Sequence, residues 1–343
     1  MKNVVRFSKH RMMVALIALL ILAVFAGFIL WVYISESSSD SGVKDGGQTT
    51  STTVPTREPD EGIPRMYVDG KLYTENTALE TVLFLGIDKF AEDAQGSYIN
   101  NQQSDTMVLA VFDHENKRVS LLPINRDTMT QISTYGVDGT YLGKETAQIA
   151  LAHAYGNGWE NSCKNAMEAV SYLLYNVEID HYVSLKMDAI PYLNDTVGGV
   201  EVTLTEDFPM LGEDFVNGAV VTLQGEQALT YIRGRAGLEE ATNVSRMQRQ
   251  NQYMRAWSER FAEVLEEDDS FLLGMLYDIS PYYFSDLSED HMNDLAHNIK
   301  SYEQNDVLNI QGESRKGDTY MEFHVDEEAL RDLVLNLFYQ PAE

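Results

Sequence analysis

The chain has 343 residues, enough for one large or two modest domains with a sizeable core. Its 25 Lys and Arg stand against 53 Asp and Glu, a formal charge of -28, so a polyanion such as nucleic acid would be repelled everywhere except at a small patch. The one cysteine, Cys163, rules out an intramolecular disulfide framework and a cysteine-rich metal site, and is expected to be a small packing residue.

Four basic residues (Lys2, Arg6, Lys9 and Arg11) precede an uncharged apolar run over residues 12–34. That run suffices to cross ~30 Å of hydrocarbon as a helix, whereas a cleavable signal peptide has an apolar stretch of only ~7–15 residues. Trp31 and Tyr33 stand at its far end as interfacial anchors. The prediction is a cytoplasmic tail over residues 1–11 and a single-pass signal anchor in the plasma membrane over 12–34. The remainder then lies outside the cytoplasm, where 21 basic side chains face 53 acidic ones. Residues 35–64, rich in Ser, Thr, Gly, Asp and Pro, cannot bury a core and read as a disordered linker.

Residues 65–80 read as a short hairpin turning at Asp69 and Gly70 and leading into the domain. A catalytic core is expected over 81–266. TVLFLGID (81–88) is a buried strand by its continuous apolar run. DTMVLAVFD (105–113) and RVSLLPINRD (118–127) follow as a hairpin around HENK. Residues 144–156 and 160–176 read as helices, the second with Ala166, Ala169, Val170, Leu173 and Leu174 on one face. Strands are expected at 181–188, 200–208 and 219–225. A short helix over 189–197 stops at Gly198 and Gly199, a helical turn opens at 226, and a long amphipathic helix covers 244–265. Residues 267–343 read as an extension packing on the core, with helices at 271–279 and 327–339 and a strand at 319–325. This interleaving predicts an α/β fold, an α+β sandwich whose central mixed β-sheet is covered by helices on both faces.

Asp88 ends the first core strand, Asp105 opens the second, and Arg126 and Asp127 close the third. If the three strands are antiparallel neighbours, Asp88, Asp105 and Arg126 emerge at one end of the sheet. Two carboxylates meeting there repel unless a cation or proton lies between them, and hard oxygen ligands of this kind suit Mg²⁺. The alternative is that both aspartates cap loops through backbone amides. Arg233 and Arg235 in YIRGR, and Arg246 and Arg249 in SRMQRQ, concentrate cations in an acidic chain. Guanidinium forks match phosphate oxygens two at a time, although surface arginines also pair with surplus carboxylates. On the 244–265 helix Arg246, Arg249, Gln250 and Tyr253 share one stripe, beside an apolar stripe of Val244, Met247, Met254 and Phe261 expected to face the core. The combination describes a diphosphate site, with carboxylates on Mg²⁺ and arginines on phosphate oxygens. There is no GxxxxGK[ST] loop and hence no P-loop nucleotide site, and neither GxSxG nor HExxH occurs. His153, alone near an apolar face, is expected to be a core or capping histidine.

In order and spacing, TVLFLGID, QSDTMVLAVFD, RVSLLPINRDT, HAYGNG, DHYVSLKMDAIPYLNDTVGGVEV, LQGEQALTYIRGR and SRMQRQ resemble the LytR-CpsA-Psr family over residues 81–257. The resemblance implies a membrane-anchored extracytoplasmic phosphotransferase. Such an enzyme moves an anionic glycopolymer, of teichoic acid or capsular polysaccharide type, from a polyprenyl diphosphate carrier onto peptidoglycan with Mg²⁺. It further implies that Asp88 and Asp105 form the metal site, and that Arg126, Arg233, Arg235, Arg246, Arg249 and Gln250 contact the diphosphate. Asp105 or Asp127 would orient or deprotonate the acceptor hydroxyl. Family members usually carry an arginine soon after GID and another before SDT; here Lys89 and Gln103 stand nearby, and Asn125 precedes Arg126. Residues 151–155, 170–174 and 247–261 either line a channel for the polyprenyl tail or pack as core. The competing readings are a polyprenyl diphosphate phosphatase, a non-catalytic lipid-carrier-binding attenuator, and a scaffold whose arginines are structural.

Overall fold

The computed structural model describes residues 65–68, 70–87, 102–136, 138–156, 159–233 and, with gaps, 249–342. The anchor and linker expected over residues 1–64 lie outside them; among the described residues no helix is long and apolar enough to cross a membrane.

In chain order, β1 (Arg65–Val68) and β2 (Lys71–Glu75) form the expected hairpin, with Gly70 at φ +76 in its turn. Next come β3 (Leu79–Ile87), β4 (Ser104–Asp113) and β5 (Arg118–Ile124), with β4 antiparallel to both β3 and β5. A second hairpin, β6 (Met129–Tyr135) with β7 (Tyr141–Gln148), leads to a five-residue helix α1 (Leu151–Tyr155) and the long α2 (Trp159–Leu173). The helix expected over 144–156 is therefore mostly strand. Good helix formers in KETAQ are overruled by pairing with β6, and only the last five residues coil.

The chain continues with β8 (His181–Lys186) and α3 (Ile190–Thr196), which stops at Gly198 and Gly199 with φ of +84 and +92. After it come β9 (Val200–Thr203), β10 (Val220–Leu223) and α4 (Glu226–Arg233). The stretch after residue 266 supplies β11 (Tyr283–Ser285), β12 (Glu303–Gln304), β13 (Gly312–Lys316), β14 (Met321–Val325), α5 (Glu327–Phe338) and β15 (Tyr339–Pro341). Asp326 caps α5 by accepting from the amides of Glu328 and Ala329.

The central sheet is mixed, in the order β11–β8–β3–β4–β5–β12, with β3–β8 and β5–β12 parallel. Both of its outer strands come from the C-terminal stretch, so that stretch completes the sheet. Residues of β3 and β4 alternate between two cores. Val82, Phe84, Val108, Ala110 and Phe112 face one, with α3, α4 and the helical residues Tyr253, Trp257 and Phe261. Leu83, Leu85, Met107, Leu109 and Val111 face the other, with α1, α2 and α5. Burial on both faces is why these strands read as unbroken apolar runs.

Of the two readings of residues 151–155, 170–174 and 247–261, the described residues follow the core packing. Ala152, Val170, Leu173 and Leu174 pack in one core, Tyr253, Trp257 and Phe261 in the other, so the sheet separates them and they line no common cavity. The long-helix stripe also shifts. Among the described residues Arg249, Tyr253, Trp257 and Phe261, spaced four apart, are buried, and Arg249 is only 2% exposed. Its guanidinium tolerates burial because Nη1 donates to Glu206 at 2.8 Å, Nε donates to the Tyr231 carbonyl at 3.2 Å, and the group lies over the Phe208 ring.

Candidate functional site

The antiparallel register of β3, β4 and β5, with β8 parallel to β3, brings Ile87, Ser104, Ile124 and Lys186 to one end of the sheet. Asp105 and Arg126 meet there. Arg126 donates from Nη1 to Asp105 in a short contact and from Nη2 to Gln103 Oε1 at 2.6 Å, while its Nε stands 3.6 Å from Asp127 Oδ1. All three charged side chains are about a quarter to a third exposed, which leaves the group facing solvent on one side.

Local chemistry explains the geometry. Asn125 accepts from the Asp127 amide through Oδ1 (2.9 Å) and from the Thr128 amide through its carbonyl (3.0 Å), a tight turn that suits asparagine and throws Arg126 outward. Ala150, at the head of α1, ties the two arms together: its carbonyl accepts from the Ser104 amide and its own amide donates to the Arg126 carbonyl, both at 3.2 Å. From behind, the Phe323 amide donates to the Asp127 carbonyl at 2.8 Å. Gln148 Nε2 bridges Asp127 Oδ1 and the Met321 carbonyl, each at 2.8 Å. Sequence reasoning missed Gln148 because it placed the residue on a helix; as the last residue of a polar strand it carries no periodic signal.

The site is electrostatically overloaded with carboxylate. Burial pushes the Asp127 carboxyl above the usual range; Arg126 pulls it down, and the Asp105 charge pushes it up again. Asp105, Asp127 and the Gln103 amide oxygen are all hard oxygen donors gathered around one guanidinium. Such a donor set fits Mg²⁺. At the same sheet end β8 finishes at Lys186, whose amine burial pulls below its ordinary value.

Arg233 is the last residue of α4, half-buried, where the helix C-terminus favours a cation. Two residues earlier, Tyr231 is held twice, its carbonyl by Arg249 and its hydroxyl by Gln252 at 2.6 Å. Asp88, Arg235, Arg246 and Gln250 lie outside the described residues, as does Lys89. Arg249, expected on the pocket wall, is inside the core and anchors the approach to Arg233.

His153 is the core histidine anticipated above. Nδ1 donates to the Gln102 carbonyl at 2.8 Å, bracing the segment that carries Gln103 and Asp105. Nε2 faces Cys163 Sγ at 3.9 Å, and burial pushes that thiol up to about 12. Burial also holds His153 down at about 4, below its ordinary 6.5. Between those values the unfolded chain binds the proton more readily. Stability from this group is therefore complete above about pH 6.5 and declines as the pH falls toward 4, by on the order of 3 kcal/mol. His153→Gln is expected to flatten the pH dependence of the urea midpoint between pH 7 and 5; an unchanged slope would place the acid sensitivity elsewhere.

A mixed sheet covered by helices on both faces, with an arginine set between two carboxylates at one end of its strands, defines an α+β protein. The LytR_cpsA_psr family model matches residues 30–338, and the chain belongs to that family. Among curated relatives, it is 35% identical over 155 residues to the polyisoprenyl-teichoic acid–peptidoglycan teichoic acid transferase TagU of Enterococcus faecalis, covering 45% of each chain. It is 28% identical over 238 residues to the TagU of Halalkalibacterium halodurans, covering 69% of this chain and 70% of that one. The match to the first thus spans under half of that relative's length. Among solved structures, the protein gbs0355 of Streptococcus agalactiae superposes with a TM-score of 0.54 at 21% identity, covering 76% of this chain and 88% of that one. TagT bound to LI-WTA superposes with a TM-score of 0.50 at 22% identity, covering 76% and 90%. These two share the fold.

Proposed function

We propose that this chain is a membrane-anchored, extracytoplasmic, Mg²⁺-dependent phosphotransferase. It would move an anionic glycopolymer from a polyprenyl diphosphate carrier to peptidoglycan. The observation that carries the reading is Arg126, held between Asp105, Asp127 and Gln103 at a solvent-facing end of the sheet, in a chain of this family. The transferase names of its relatives support the same chemistry.

In this reading Arg126 and Arg233, with Arg235, Arg246 and Gln250, grip the diphosphate oxygens. Arg249 holds the backbone leading to Arg233. Mg²⁺ would be held by Asp105 together with Asp88, the pair the family resemblance implies, and when bound would supply charge neutralisation at the diphosphate. The acceptor hydroxyl attacks the phosphorus bonded to the sugar. A new P–O bond forms, the bond to the bridging oxygen breaks, and its electron pair leaves on polyprenyl phosphate. Asp127 takes the hydroxyl proton, a role suited to a carboxylate whose burial raises its basicity. Guanidinium groups fixed in advance stabilise charge as it moves onto the leaving oxygen.

The direct test supplies the purified full chain with a polyprenyl-diphosphate-linked glycopolymer, peptidoglycan and Mg²⁺. Polyprenyl phosphate and polymer-bearing peptidoglycan are expected to form in equal amounts. Free polymer phosphate without modified peptidoglycan would make the chain a hydrolase, and neither product would leave it a carrier-binding protein.

A further inference from the structure

At the end of the sheet opposite Arg126, roughly 30 Å away by strand rise, three of the chain's seven histidines gather around one glutamate. Glu80 lies near the start of β3, His114 just past the end of β4, and His181 opens β8, where it pairs with Val82. His291 comes from the stretch between β11 and β12. Glu80 Oε1 stands 2.5 Å from His291 Nε2 and 3.9 Å from His181 Nε2, while Oε2 stands 2.8 Å from His114 Nε2. The ligand atoms of Glu80, His181 and His291 all lie within 4.8 Å of one another.

We infer that Glu80, His181 and His291 form a site for a borderline transition-metal cation, Zn²⁺ in the first instance, separate from the Mg²⁺ chemistry at the other end. Imidazole donors select zinc-like ions over Mg²⁺, which takes oxygen. With metal–nitrogen and metal–oxygen distances near 2.0–2.1 Å, tetrahedral ligand atoms stand about 3.3 Å apart. The observed spacings bracket that value, and the partly exposed His291 side chain can swing to close the set. Groups able to support these ligands stand next to them. His181 Nδ1 is buried, makes no hydrogen bond among the described residues, and lies 3.6 Å from Asp286 Oδ1, which is itself fixed by the Tyr182 amide at 3.0 Å. A proton on that nitrogen directs the Nε2 lone pair toward Glu80. On the other side His114, hydrogen-bonded to Tyr302 at 2.6 Å, holds the second Glu80 oxygen. Carboxylate and histidine supports of this kind orient metal ligands. A metal here would pin the His291 stretch, which carries both outer strands of the sheet, to β3 and β8.

The test titrates the purified full chain with Zn²⁺ alone against a chromophoric chelator at pH 7.5, then repeats the thermal melt with and without the ion. One equivalent is expected to bind with submicromolar affinity and to raise Tm. His291→Ala and His181→Ala should each weaken binding at least tenfold, while His324→Ala, on β14, should leave it unchanged. His291→Ala is the decisive variant, because its side chain stands partly in solvent and its removal leaves the core intact. No binding by the wild-type chain, or wild-type affinity in a folded His291→Ala, would overturn the site.

Discussion

Arg126→Ala is expected to reduce polyprenyl phosphate release by roughly 10²–10³-fold, the scale of losing one fixed charge-stabilising donor. The side chain sits where two carboxylates and an amide oxygen converge, so its removal takes away more than a phosphate contact. Arg126 now holds the Asp127 carboxyl down against its burial, so without it that carboxyl would move further up. A carboxyl raised in the folded state adds stability at low pH that is lost as the pH rises through its folded pKa. The variant should therefore lose more stability than the parent on going from pH 5 to pH 8. Arg126→Lys keeps the charge without the fork; it should restore the pH profile of stability more fully than the turnover, because a single ammonium cannot bridge Asp105 and Gln103 together. Turnover of Arg126→Ala within threefold of the parent would remove this residue from the reaction.

The largest structural effect is expected at Arg249. Arg249→Met removes the guanidinium that pairs with the buried Glu206 carboxyl, a change that costs about 3–5 kcal/mol. For a folded part of this size that corresponds to a fall in Tm on the order of 10 °C. Adding Glu206→Gln should recover part of the loss, because without the guanidinium a neutral amide is less costly to bury than a carboxyl. Arg249→Lys should fall between, since an ammonium cannot serve Glu206 and the Tyr231 carbonyl at once while stacking on Phe208. Thermal melts of the three variants and the parent decide the matter: equal Tm values for Arg249→Met and the parent would show that the pair contributes nothing.

These two arginines mark what sequence could and could not supply. Arg126 was legible because its partners follow from local grammar: strand, turn, strand, with Asp105 and Arg126 forced to one end by antiparallel pairing. Arg249 was counted as polar and assigned to a pocket wall, since its counter-charge comes from Glu206, 43 residues earlier and on another element. The same distance hid the Glu80 cluster, whose histidines arrive from the end of β4, the start of β8 and the stretch beyond β11. The inner strands announced themselves because both faces are buried. By contrast β7 is exposed and rich in helix formers, and β11, β12 and β15 are two or three residues long, so pairing alone defines them.

The hairpin at the start of the described fold has a mechanical reading. Arg65 pairs with Thr74, while β15 pairs with the other edge of β2 and the Ala342 amide donates to the Leu72 carbonyl. Tension applied through residue 64 would peel β1 from β2 one rung at a time, the low-force mode of opening an antiparallel pair. The strand that continues into β3 stays clasped by the C-terminal β15 throughout. Under such a load the first hairpin would open before strain reached the sheet end that carries Arg126.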